Sequence, residues 1–397
     1  MAIVSDSLIY NLLIGALFIL GCLYYYFTSK FEYWRERGVA FVKPIPFFGN
    51  VKDQILRKKS MIEMYSDIYK NLSGNRFGGF FEFREPVLMI RDPALVEAVL
   101  IKDFRHFYDR PFIPDTNNDP LTANLFNLKG TVWKNLRNKL TPTFTTGKLK
   151  TMTEQILKSG EKLVQHLAEE SKRSKDVDSK SVTSCFSLEV IASVAFGLQM
   201  DKDSEDGKNF RRFTAELMTP SLLVSLRMTM MLYAPKMAAF FKVKQFPKSV
   251  QDATVGLVRD TLNYRTENNV QRNDFIQLLL NIRKQELDGN FKINQEHEED
   301  DLIDQMKYVP KAEVAEVNDG KIFMTDMHIT AQSLIFLIAG LEAISTSINF
   351  SLYTLMENPK VQDKVHEEID RVMKNHNNVW SYQAVKEMTY LDEVIQE

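Results

Sequence analysis

The pattern of apolar and polar positions begins with an unbroken run. Leu8 to Phe27 contains no charge, and as a helix rising about 1.5 Å per residue it is roughly 30 Å long, the thickness of one hydrocarbon core. Further on, apolar residues recur at intervals of three and four. This spacing predicts helices over 131–141, 146–172, 181–197, 207–219, 247–265 and 273–287. Before them, Phe80 to Phe83 and Val87 to Ile90 read as a small hairpin turned at Arg84-Glu85-Pro86. Asp92-Pro93 then caps a helix over 94–101. Late in the chain, Thr325 or Asp326 caps a helix that Asn358-Pro359 ends, about thirty residues or roughly 45 Å long. An amphipathic helix over 360–373 follows. The class is mainly α with a small β-sheet.

The long late helix holds the most informative polar position. Leu334 to Thr346 is apolar except for Glu342 and a few hydroxyls, and an ionised carboxylate in an apolar wall is costly unless paired, hydrogen-bonded or functional. Ala339 and Gly340 leave almost no bulk beside it. Ile335, Ala339, Glu342 and Thr346 share one face. Two readings stay open from the residues alone: a proton-handling site, or a core helix with one snorkelling or salt-bridged acid. Trp133 and Arg137, at i and i+4, suit a cofactor carboxylate or form a cation–π pair. Lys129, Lys134, Lys139, Lys148 and Lys150 flank them, as solvated charges or as a patch for an acidic partner. Leu222 to Phe241, rich in Met and Phe, reads either as a membrane-dipping surface or as packing between two helices.

Composition and charge narrow this picture. Formal net charge is −2, which gives no sign of nucleic-acid binding. The charge is uneven: Glu286 to Gly320 holds eleven acidic and three basic residues, a stretch expected to be a loop over 288–322. Two cysteines, Cys22 and Cys185, exclude a disulfide framework. Asp6 is the only charge before the apolar run, while Lys30, Arg35, Arg37 and Lys43 follow it. The positive-inside rule makes residues 1–29 a signal-anchor with the body in the cytosol. Residues 30–50, with Pro44 and Pro46, form a stiff hinge, and 51–397 the body. His297-Glu-Glu-Asp and His366-Glu-Glu lack zinc spacing, so no metal site of the chain's own is expected.

Four features in order resemble the microsomal cytochrome P-450 family, most of all its arthropod detoxification branches. They are the anchor with its hinge at Pro44 to Asn50; Trp133-x-x-x-Arg137 followed by Leu140-Thr-Pro-Thr-Phe; Ala339-Gly340-x-Glu342; and Glu357-Asn-Pro with its amphipathic helix. The resemblance implies a helical haem-thiolate monooxygenase of lipophilic small molecules in the endoplasmic reticulum membrane, fed by an NADPH-cytochrome reductase. By position it implies that Trp133 and Arg137 hold a haem propionate, that Ala339 and Gly340 line the oxygen pocket, and that Glu342 feeds the proton relay. Residues 107–127 are expected in the substrate-recognition region. Glu397 aligns with the glutamate opening the family's Glu-x-x-Arg motif.

Two departures accompany these matches. Neither cysteine has the glycine-rich context of the family's axial thiolate, so residues 1–397 alone are expected not to form a working monooxygenase. Ala343 stands where the family usually has a threonine that helps deliver protons, and Thr346 lies one turn on. A non-catalytic membrane-bound remnant and a haem isomerase or dehydratase are the alternatives.

Overall fold

The computed structural model describes residues 2–173, 176–198, 205–219, 221–288 and 324–397. Its contacts divide the chain into two compact units, one ending at Tyr108 and one beginning at Asp109.

In the first unit, α1 (Ala2–Thr28) is the apolar run, long and apolar enough to cross a membrane. Its last turns dock on the hinge: the rings of Tyr24 and Phe27 lie 6.2 and 5.6 Å from that of Phe47. α2 (Met61–Asn71) is closed by a capping box, in which Ser60 and Glu63 satisfy each other's backbone amides. β1 (Phe77–Glu82) and β2 (Glu85–Ile90) pair antiparallel, with Phe81 opposite Pro86. The turn is therefore Phe83-Arg84, tighter than expected, with Phe83 at φ +55°. Pro86 sits inside the second strand, where its missing N–H faces away from the ladder.

The hinge is more than a spacer, because its flanks extend this small sheet. Gly79 N–H donates to Ala40 O at 2.8 Å, Val42 N–H to Gly79 O at 2.9 Å, and Asn50 N–H to Phe81 O at 2.7 Å. Trp34, buried, donates its indole N–H to Phe80 O at 3.1 Å. The ring lies where a Cβ on Gly79 would be, so only glycine fits there. α3 (Pro93–Glu97) starts on Asp92, which accepts from the amides of Ala94 and Leu95, and runs on as a π-helical turn, Ala98–Lys102.

The described residues of the second unit form helices and their connecting loops, with no strand among them. α4 (Gly130–Leu140), α5 (Thr146–Arg173), α6 (Ser179–Ile191), α7 (Glu205–Met218), α10 (Lys248–Glu267) and α11 (Phe275–Leu287) match the six spans read from periodicity. Between them, α8 (Leu222–Tyr233) and α9 (Pro235–Phe240) carry the Met- and Phe-rich segment. Leu222, Leu223, Leu226, Met237, Phe240 and Phe241 are exposed, while Ala238 is buried.

α12 (Asp326–Glu357) is the long late helix, 32 residues capped by Thr325, whose hydroxyl accepts from His328 N–H. It is followed by α13 (Pro359–Asn375) and two short helices, α14 (Tyr382–Lys386) and α15 (Thr389–Gln396). From residue 289 to 323 the acidic stretch lies outside the described residues.

Candidate functional site on the long helix

α12 has two unlike sides. Leu334, Leu337, Leu341 and Ser345 are buried, and α6 crosses behind them. Gly340 belongs to this rear side. A Cβ there would stand 2.7 Å from Ile191 Cδ1, so the absent side chain lets α6 approach closely. Ala339, Ala343 and Phe350 are four and seven residues apart, share the front, and are exposed.

Glu342 lies at the margin between the two sides. Its carboxylate accepts from Lys180 Nζ of α6 at 2.6 Å. Thr346 Oγ1 donates to the same Glu342 oxygen at 3.3 Å and accepts from Lys180 at 3.3 Å. The Lys180 hydrogen bond holds the Glu342 carboxyl below the usual carboxylate range. The acid is not sunk in an apolar wall, for its side chain is 63% exposed. Each residue turns about 100° along a helix, so Leu341 goes to the rear while Glu342 reaches the edge.

Behind Glu342 a row of hydroxyls fixes the crossing. Thr183 and Ser184 Oγ each stand 3.0 Å from the buried Ser345 Oγ, and Asn349 Nδ2 donates to the Ser345 carbonyl at 2.8 Å. Glu342 and Thr346 are thus brought together, and Ala339 and Ala343 share one open face. Lys180, the partner of both polar residues, lies 162 positions away from Glu342 and no local pattern announces it.

On α4, Trp133 is buried and the Arg137 guanidinium sits over its ring, 5.6 Å from the centroid. Arg137 is exposed and makes no ion pair among the described residues. The helix is tied toward the site through Phe144, whose ring stacks 5.2 Å from Phe336 of α12. Lys139 is engaged elsewhere, in a largely buried pair with Glu286, whose other oxygen accepts from Met324 N–H at 2.8 Å. Among the described residues no group of three potential metal ligands forms, and Cys22 and Cys185 are both exposed.

The chain matches the family described as Cytochrome P450 over residues 40–306 and 290–397. It belongs to the cytochrome P450 family. Among relatives, it is 32% identical to the probable cytochrome P450 6a20 of Drosophila melanogaster over 392 residues, covering 97% of this chain and 71% of that protein. Identity is 32% to cytochrome P450 6B1 of Papilio polyxenes, over 95% of this chain and 70% of the relative. For cytochrome P450 6j1 of Blattella germanica it is 31%, over 95% and 68%. The chain therefore sits with the insect P450s, whose cofactor is haem. Neither the non-catalytic nor the isomerase reading gains support from these relatives.

The residues present fit such a group on the propionate side. An exposed, unpaired guanidinium lying over an indole is a ready carboxylate receptor. Ala339 and Ala343 add an exposed surface of little side-chain bulk on the front of α12.

Proposed function

We propose that this P450 is a membrane-anchored haem monooxygenase of lipophilic small molecules, working on the open front of α12. The observation that carries this is the exposed Ala339–Ala343 face with a carboxylate at its edge. Trp133 and Arg137 would hold a haem propionate, and Ala339 would border the oxygen side. When bound, haem supplies the redox chemistry that splits dioxygen with electrons from NADPH.

The chain's own part is to orient, to exclude water and to move protons. Glu342 would pass protons inward from solvent, with Lys180 keeping it ionised between transfers. Ala343 offers no hydroxyl, so Thr346 Oγ1, one turn on and already bonded to Glu342, is the hydroxyl at hand. Gly340 would act through packing, letting α6 and Lys180 come near.

α1 and the four cations after it support a cytosol-facing body on the endoplasmic reticulum. The exposed apolar side chains of α8 and α9 support a lipid-facing route for substrate. Lys129, Lys148 and Lys150 would meet an acidic reductase surface. The test is oxidation of a lipophilic probe by the haem-loaded, membrane-bound protein with NADPH, a reductase and isotopically labelled dioxygen. One labelled oxygen atom in the product is expected; product without label contradicts the proposal.

A further inference from the structure

Gln332 lies seven residues before Ala339 on the same front of α12, about 10 Å along the axis. Unlike Ala339 it is fully buried, because a loop lies over it. Its Nε2 donates to the Ala123 carbonyl at 2.9 Å, and its Oε1 accepts from the Leu125 N–H at 2.9 Å. One side chain thus grips the backbone on both sides of Asn124, as a neighbouring strand would.

The rest of the loop is braced by its own side chains. Asn124 Oδ1 accepts from the amides of Phe126 and Asn127 at 3.0 and 3.1 Å, and its Nδ2 donates to Leu121 O at 2.8 Å. Asp119 accepts from Gln245 N–H at 2.7 Å, and Asn127 Nδ2 donates to Gln245 Oε1 at 2.8 Å. Leu121 to Asn124 are buried, whereas Leu125 is half-buried and Phe126 exposed. The loop is therefore a braced unit, and Gln332 ties that unit to α12.

We infer that Gln332 is a specificity-determining positioning residue. It sets the height of Leu125 and Phe126 above the front of α12, and so the size of molecule that fits between them and Ala339. This rests on the proposal that substrate occupies that front. The bond to Ala123 is buried and the one from Leu125 partly so, and an apolar side chain of equal length leaves that backbone acceptor and donor without their Gln332 partners. The loop must then shift or open to water.

The test uses the haem-loaded protein and Gln332→Met, with Gln332→Asn as the variant that keeps the amide but shortens its reach. Hydrogen exchange at the Leu125 amide should be slow in the unsubstituted protein and about tenfold faster or more in both variants, the scale of one lost hydrogen bond. Equilibrium dialysis with n-alkylbenzenes from toluene to octylbenzene should show altered preference for chain length, with toluene affinity changed least. Fast exchange at Leu125 in the unsubstituted protein overturns the inference whether or not the variants fold. Unchanged protection in a folded variant overturns it too, as does lost protection with an unchanged chain-length profile. Failure of the monooxygenase proposal would look different: no labelled product from the unsubstituted protein, with binding and exchange following Gln332 as described.

Discussion

Two acid–base pairs in the second unit share a contact distance of 2.6 Å and differ in kind. Arg265 and Asp274 are 4% and 0% exposed, and the guanidinium grips the carboxylate through both nitrogens, at 2.8 and 2.6 Å. Asp274 also caps α11 by accepting from Gln277 N–H, and Arg265 reaches the Phe196 carbonyl. Lys180 and Glu342, at the same 2.6 Å, stand 49% and 63% exposed. A buried pair is a structural commitment, because removing one partner strands a charge. An exposed pair costs little to make or break, and so suits a carboxylate that must exchange protons. Distance alone does not separate the two; solvent does.

The largest effect belongs to the buried pair. Arg265→Ala should destabilise by about 3–5 kcal/mol in urea unfolding, because the buried Asp274 loses its two-pronged partner and keeps only the more distant Arg272, at 3.9 Å. The double change Arg265→Met with Asp274→Leu should recover part of that loss. If the single change costs under 1 kcal/mol, the contrast between the pairs collapses.

Next comes Arg137→Ala. It should leave unfolding of the haem-free chain nearly unchanged but weaken haem retention by about 1.5–3 kcal/mol, the worth of a charged hydrogen bond. The haem-to-protein ratio after dialysis measures it.

Smallest in stability is Lys180→Met, within about 1 kcal/mol for an exposed pair. Its signature is in pH. Lys180 holds Glu342 below its ordinary range, so the pair's stability is present above the unfolded carboxyl pKa and is lost as pH falls through the folded one. Without Lys180, Glu342 titrates higher, and the acid limb of product formation should move to higher pH. An unmoved limb would separate Lys180 from the proton path.

Much of this was legible in the chain. Six helices, the anchor, the cap at Thr325 and the hairpin follow from periodicity and end signals, since those are local properties. The hairpin turn was misread because Pro86 suggests a turn, yet an edge strand tolerates proline where its N–H faces away. At the site, the clustering of Ala339, Glu342, Ala343 and Thr346 on one helix was readable. The exposure of Glu342 was not, because its apolar neighbours face α6 rather than surround it. Lys180 acts across 162 positions and Gln332 across 207 and 209, and only the folded crossing brings them in. Asp119 and Asp274, in unremarkable loops, turn out to be buried, as does Glu368 of α13.

Ala343→Thr sharpens the account of the exposed pair. A hydroxyl beside Glu342 should raise product formed per NADPH consumed several-fold, against the roughly 10²–10⁴ that a positioned proton donor contributes, with little change in substrate affinity. If Thr346→Ala instead collapses coupling while Ala343→Thr leaves it unchanged, Thr346 is the working hydroxyl.

The central claim is that Glu342 is a proton-handling carboxylate at the rim of the oxygen side and not a structural one. Glu342→Gln in the haem-loaded, reductase-supplied protein tests it most directly, by product formed per NADPH consumed alongside urea unfolding. The account predicts coupling lower by about tenfold or more, with electrons appearing as hydrogen peroxide, and stability within about 1 kcal/mol. Unchanged coupling, or a stability loss on the scale of Arg265→Ala, would contradict it.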